Sequence, residues 1–338
     1  MLARCAEQGV RWQDRRAVRA LILLAATLVT TLQVTACSSG PAGACGLNSG
    51  TPHPEIGGEV LYYCLDQPEV NGGLYLLDVT TGRVRALTSD LAYNLDGAWS
   101  PDGSRIAFQS SRDGRDDIYV MDLRSGAVRR LTDGRGFNEY PDWSPDGRRI
   151  LFSSSRDGVF DPAGTGYYRD IYVMQADGSD SHRLSRHTGI RGGAAWNPDG
   201  GSLVFAAAQG DRWDVFTMQA DGTSIEQVTN FGWSGGGANY PRWSPDGSRV
   251  LYFGAVAKGA PLLIYWQAAG EQQTHAVTGA GPGQSDLYPD WSRDGKWIVF
   301  VRTGNTASQL FAVRPDGAGL TQLTYGSGAK VLPRWRPA

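Results

Sequence analysis

The chain lacks most of what an enzyme or a nucleic-acid binder displays. Its four His stand at 53, 182, 187 and 275, without the spacing that zinc ligands need, and no Gly-x-Ser-x-Gly nucleophile elbow occurs. Its Asp-Gly pairs never sit in an Asp-x-Asp-x-Asp-Gly run with a distal Glu, so they read as turns rather than calcium loops. No metal and no cofactor is expected. Basic residues show no surplus, 32 against 34 acidic for a net charge of −2, so a phosphate-binding surface is missing and nucleic acid is not an expected partner. The apolar stretch from Leu21 to Ala36 is 16 residues long, short of the roughly 18 to 20 that a membrane-spanning helix requires.

That short apolar stretch follows a basic segment carrying Arg11, Arg15, Arg16 and Arg19 and ends at a Cys followed by Ser-Ser-Gly, the layout of a signal peptide. The rest of a twin-arginine signal is absent around Arg15-Arg16. Val34-Thr35-Ala36-Cys37 resembles the lipobox of bacterial lipoproteins, which implies diacylation of Cys37 and a lipid anchor. Residues 1–36 are then a signal peptide and residues 37–57, rich in Ser, Gly and Pro, a lipidated flexible tether. Cys5 leaves with the signal and Cys37 takes the lipid, so Cys45 and Cys64 remain, a pair free to form a disulfide outside the cytoplasm. Loss of residues 1–36 leaves 27 basic and 32 acidic residues, net −5. Attachment to a membrane is then the work of the anchor and not of charge.

What the chain has in abundance is turns and a repeat. Its 45 Gly, 17 Pro and 11 Trp suit many short strands. Trp-Ser-Pro-Asp-Gly occurs at Trp99, Trp143 and Trp243, with variants at Trp196 and Trp291. Each is followed by an alternating apolar strand such as Ile106-Ala107-Phe108, then a second such as Ile118-Tyr119-Val120-Met121. A third ends in Leu-Thr or a near equivalent at Thr88, Thr132, Ser185, Thr229, Thr278 and Thr324. Each unit is a four-stranded meander of blade size, with Pro-Asp-Gly making the first hairpin and Trp in the core between units.

The first unit, from Gly58, lacks a Trp strand before it, and Trp335 closes a Trp strand with nothing after it. Together they complete one unit. The expected fold is all-β: a six-bladed β-propeller over residues 58–338, its ring closed by the C-terminal strand so that no sheet edge is left open.

The Trp-Ser-Pro-Asp-Gly units followed by Ser-Ser-Arg-Asp-Gly, at Ser110 to Gly114 and Ser154 to Gly158, resemble the propeller of the TolB family of the Tol-Pal system. The resemblance spans residues 58–338. It implies an extracytoplasmic binding propeller on the periplasmic side or the cell surface, with a protein or peptide of the cell envelope, or an envelope glycan, as partner and no catalytic residues. Two departures stand out: the TolB N-terminal α/β domain has no counterpart between signal and first blade, and TolB proteins are usually soluble where this chain has a lipobox. The expectation is a monomeric, lipid-anchored TolB-like propeller.

A ligand is expected at one mouth of the central channel, lined by residues five to three positions before each Trp. The candidates are Asn94, Asp96, Asn138, Glu139, Tyr140, Arg191, Asn239, Tyr240, Asp286, Tyr288 and Lys330. The structural alternative is that the Tyr rings pack the mouth and the Asn side chains cap turns. Asp142, Arg242, Asp290 and Arg334, each before a Trp, are expected to form ion pairs between blades. Trp213, Trp233 and Trp266 lie outside the repeat position, either at a binding rim or in the core. The competing function is a propeller-fold carbohydrate lyase or hydrolase, for which His182 and His187 are the pair nearest in sequence.

Overall fold

The computed structural model describes residues 45, 50–65, 72–88, 92–157, 169–185, 190–209, 212–231, 237–257, 259–304 and 307–337. The signal peptide, Cys37, His187 and Trp233 lie outside the described residues, as does the Arg191 side chain.

Among the described residues, twenty-four strands form six antiparallel four-stranded sheets. Blade 1 holds β1 (Glu59–Leu65), β2 (Gly73–Asp78), β3 (Arg83–Ala86) and, as its inner strand, β24 (Ala329–Trp335). Blade 2 is β4 (Asn94–Trp99), β5 (Arg105–Ser110), β6 (Asp117–Asp122) and β7 (Val128–Arg130). Blade 3 is β8 (Asn138–Trp143), β9 (Arg149–Ser154), β10 (Asp170–Gln175) and β11 (His182–Arg183). Blade 4 runs β12 (Ile190–Trp196), β13 (Ser202–Gln209), β14 (Arg212–Gln219) and β15 (Glu226–Gln227). Blade 5 runs β16 (Ala238–Trp243), β17 (Arg249–Gly254), β18 (Leu263–Ala268) and β19 (Thr274–Ala276). Blade 6 runs β20 (Ser285–Trp291), β21 (Ile298–Thr303), β22 (Gln309–Val313) and β23 (Thr321–Gln322). The chain is a six-bladed β-propeller closed by its last strand, where Val60 pairs with Trp335 and Cys64 with Lys330.

The repeat's signature residues have distinct jobs. In the Trp-Ser-Pro-Asp-Gly turns the Ser hydroxyl binds the Asp carboxylate and accepts the N–H of the residue opening the next strand, as in Arg105 N–H to Ser100 at 2.9 Å. Gly103 closes that turn at φ +65°, a conformation that costs a residue with a Cβ. The Thr or Ser ending each outer strand accepts the N–H of a residue 14 positions earlier in the third strand, in all six blades, at 2.8 to 3.1 Å. That bond pins the outer strand, which has few ladder bonds of its own.

Five of the six repeat Trp are buried, Trp243 half-buried. Arginines of the preceding blade lie over three of them: Arg105 over Trp143 and Arg149 over Trp196, each at 4.6 Å, and Arg336 over Trp99 at 5.1 Å. Each buried ring hides about 150 to 250 Å², worth at most roughly 4 to 6 kcal/mol. Apolar clusters run across the seams between blades, so no blade buries its faces alone.

Residues 50–57, placed in the tether on sequence, are tied down. Gly50 bridges to Thr324, Thr51 N–H donates to Leu323 O at 3.0 Å and His53 N–H to Val79 O at 2.8 Å, so this strap stitches blade 6 to blade 1. Cys45 is joined to Cys64 by a disulfide, with Cα atoms 6.0 Å apart, and is itself buried.

Candidate functional site

Every inner strand carries a register shift against its neighbour shortly before its Trp. In five of them the residue three before the Trp takes a positive φ: Asp96, Tyr140, Tyr240, Tyr288 and Leu332, at 49° to 57°. Such bulges re-aim a side chain at some cost in backbone strain. The result is a channel with three tiers of side chains, five, three and one positions before the Trp.

The described polar side chains of the outer tier, at the mouth, are buried and engaged. Asn94, Asn138, Asp286 and Lys330 are all fully inaccessible. Asn138 donates to Asp117 at 2.9 Å and to Arg135 O at 3.2 Å, and accepts from Ser154 and Arg156. Asn94 accepts from Arg112 at 3.0 Å, and Asp286 takes a bidentate pair from Arg302 at 2.7 and 2.8 Å. Lys330 Nζ donates to Tyr325 O and Gly328 O. Arg112, Arg156 and Arg302 each stack on an aromatic pair of their own blade, for example Arg156 on Phe152 and Tyr172 at 5.1 and 4.8 Å. The Arg of Ser-Ser-Arg-Asp-Gly is thus the clamp of the mouth, a role that sequence reasoning missed although the motif was visible. Beside this tier, Glu139 pairs with Arg169 at 2.6 Å, and Asn239 accepts the N–H of Tyr240 at 2.7 Å.

The middle tier meets at the channel axis. Tyr240 of blade 5 donates its hydroxyl to Asp96 of blade 2, diametrically opposite, at 2.6 Å. Its ring packs edge-on against Tyr288 and Tyr140, with centroids 5.0 and 6.4 Å away. Blade 4 supplies Gly193 here, and a Cβ on it would stand 3.0 Å from Tyr140 Cβ. Burial pushes the Asp96 carboxyl up to about 6 against the opposing pull of Tyr240 and Arg334. Tyr240 and Asp96 are buried, whereas Tyr140, Tyr288 and Leu332 stay partly exposed.

The inner tier is Asp142, Arg242, Asp290 and Arg334. Asp142 accepts the Trp196 N–H of the next blade at 3.0 Å, and Asp290 accepts that of Trp335 at 2.7 Å. Asp290 also lies 4.0 Å from Arg334, a contact between blades 6 and 1 that is an ion pair only once the carboxyl is ionised. Arg242 and Arg334 instead lie over the Tyr240 ring at 4.9 and 5.0 Å. Burial pushes Asp290 up to about 8 and raises Asp142 too.

Away from the channel, Trp266 stacks on His275 at 4.0 Å and donates to Pro315 O in the next blade, a seam contact, while Trp213 bridges to Gly237. His182 is exposed and bonds to Asp180 O. Among the described residues no three His, Cys, Asp or Glu side chains come together as a metal site.

Comparison with known proteins places this architecture. The TolB beta propeller domain family matches residues 57–161 and 163–338. An uncharacterized protein of Agrobacterium fabrum is 35% identical over 251 residues, 72% of this chain, and the chain spans 66% of that relative's length. The crystal structure of TolB from Acinetobacter baumannii superposes with a TM-score of 0.72 at 23% identity, covering 83% of this chain and 67% of that one. An oligogalacturonate lyase in complex with manganese shares the fold at 17% identity, with a TM-score of 0.56 over 82% of this chain and 77% of that one. The chain belongs to the TolB beta propeller domain family.

Proposed function

We propose that the protein is a lipid-anchored extracytoplasmic binding module that holds a protein or peptide of the cell envelope at its channel mouth. The observation that carries this reading is the aromatic floor of the channel. Tyr140, Tyr288 and Leu332 are partly exposed around a bar formed by Tyr240 and Asp96, and neither the Tyr140 nor the Tyr288 hydroxyl has a hydrogen-bond partner among the described residues. Rigid Tyr rings with a free polar tip suit capture of a peptide, giving contact area at small entropic cost. The bar closes the axis, so a ligand seats on the floor and does not thread the ring. Cys37 and its lipobox support the anchor, and the Cys45–Cys64 disulfide favours an oxidising compartment.

The test is capture from crosslinked cell envelopes by the full chain and by a Tyr140→Ala/Tyr288→Ala variant. Tyr240 is unsuitable for that purpose because its hydroxyl bonds to Asp96. A protein captured by the native chain and lost from the folded variant supports the reading. Equal capture by both, with cleavage of an oligosaccharide by the purified chain, replaces it with the lyase reading.

A further inference from the structure

We infer that the Cys45–Cys64 disulfide turns the mouth end of the propeller toward the bilayer and makes that end a membrane-facing surface; this rests on the lipid anchor at Cys37. The argument is one of contour length. Cys64 lies at the mouth end of β1, where it pairs with Lys330 of the outer tier on one side and with Gly73 on the other. The disulfide holds Cys45 there, buried in the cluster that joins blades 5, 6 and 1. Eight Cα-to-Cα steps separate Cys37 from Cys45. At no more than about 3.6 Å per step, the acylated residue stays within about 29 Å of the mouth end.

The opposite end stands almost at the limit of that reach. From Lys330 to Trp335 the inner strand advances about 17 Å, and β2 and β3 add about 10 Å between β1 and the outer edge of the blade. A tether leaving Cys45, passing over the blade and descending its side uses nearly all of its contour before clearing the β2–β3 turn at Gly82. Without the disulfide the first fixed point becomes Gly50, held by its bridge to Thr324. The reach then grows to about 47 Å and both orientations open. The mature chain's net charge of −5 offers no attraction to anionic lipid, so the orientation is set by the crosslink and is insensitive to salt. The ligand that fits a mouth so placed is a polypeptide segment lying close to the same membrane.

Arg115 and Arg124 are both exposed in blade 2, beyond opposite ends of β6: Asp117 at one end pairs with Ser110, at the mouth, and Asp122 at the other pairs with Arg105. Fluorophores placed on Arg115→Cys or Arg124→Cys of the full lipidated chain, in phosphatidylcholine vesicles carrying a headgroup acceptor dye, report the distance of each end from the bilayer. The expected result is several-fold stronger energy transfer from position 115, unchanged by 0.5 M salt (about a 4 Å Debye length) and reduced toward equality by Cys45→Ser/Cys64→Ser. Equal transfer, or stronger transfer from 124, overturns the inference. Mass analysis of the N-terminal peptide from the same samples separates two failures. Acylated Cys37 with equal transfer removes the orientation alone, whereas unacylated Cys37 removes the anchor as well.

Discussion

The Tyr240 hydroxyl and the Asp96 carboxylate, 144 residues apart in sequence and on opposite blades, meet across the channel axis at 2.6 Å. The bond is a crossbar between diametrically opposite blades, and Tyr140 of blade 3 and Arg334 of blade 1 also reach the Tyr240 ring from blades that do not adjoin blade 5. Tyr240→Phe leaves a buried carboxylate without its donor and is expected to cost about 1 to 3 kcal/mol in urea unfolding. Adding Asp96→Asn, which removes the charge, is expected to recover part of that loss. A double variant less stable than Tyr240→Phe alone contradicts the assignment.

Stability is expected to fall as pH rises from about 4 to 8. Asp96 and Asp290 are raised by burial to about 6 and about 8, against about 3.9 in the unfolded chain. The folded state therefore binds more protons in that window, and the stability these groups contribute is complete below about pH 4 and lost as pH passes their folded values. One such group gives a slope of at most about 1.4 kcal/mol per pH unit. Thermal melts of Asp290→Asn across pH 5 to 9 are expected to show a flatter decline. Asp102 and Asp246, held at about 2 by hydrogen bonds from Ser100 and Ser244, act in the opposite sense below pH 4.

Removing the disulfide with Cys45→Ser/Cys64→Ser is expected to cost about 3 kcal/mol for a loop of this length. Native chain under reductant should melt at the temperature of the double variant. A fully reduced chain that melts with the oxidised protein counts against this.

Arg112→Ala and Arg156→Ala each remove a stacked guanidinium and its bond to a mouth Asn, an expected loss of about 1 to 2 kcal/mol apiece. Because the two act in separate blades, the double variant should show near-additive losses in unfolding experiments.

The blade count, the Trp seams and the Pro-Asp-Gly hairpins were legible because each rests on short-range patterning that recurs. The channel was legible only in part. Tyr140, Tyr240, Tyr288 and Leu332 each precede a Pro, a position that reads as extended backbone, yet each takes a φ near +55°. That reversal sends these side chains to the axis and leaves Asn94 and Asn138 buried behind Arg clamps. A strand read with strict alternation cannot show it. The crossbar was invisible for a further reason: which blades stand opposite depends on closure of the whole ring, which no local window contains. The expected ion pairs among Asp142, Arg242, Asp290 and Arg334 came down to the Asp290–Arg334 contact, because both arginines find the Tyr240 ring and Asp142 takes a backbone N–H.

The pairing of Val60 with Trp335 sets an order for biogenesis. During synthesis β1 emerges some 270 residues before its inner-strand partner, so for nearly the whole of that time blade 1 has an open edge and blade 2 has an uncovered face. Closure of so long a loop is slow compared with formation of the local hairpins. A holdase acting on this chain would find its binding site at that unfinished blade, and the site disappears when Trp335 docks.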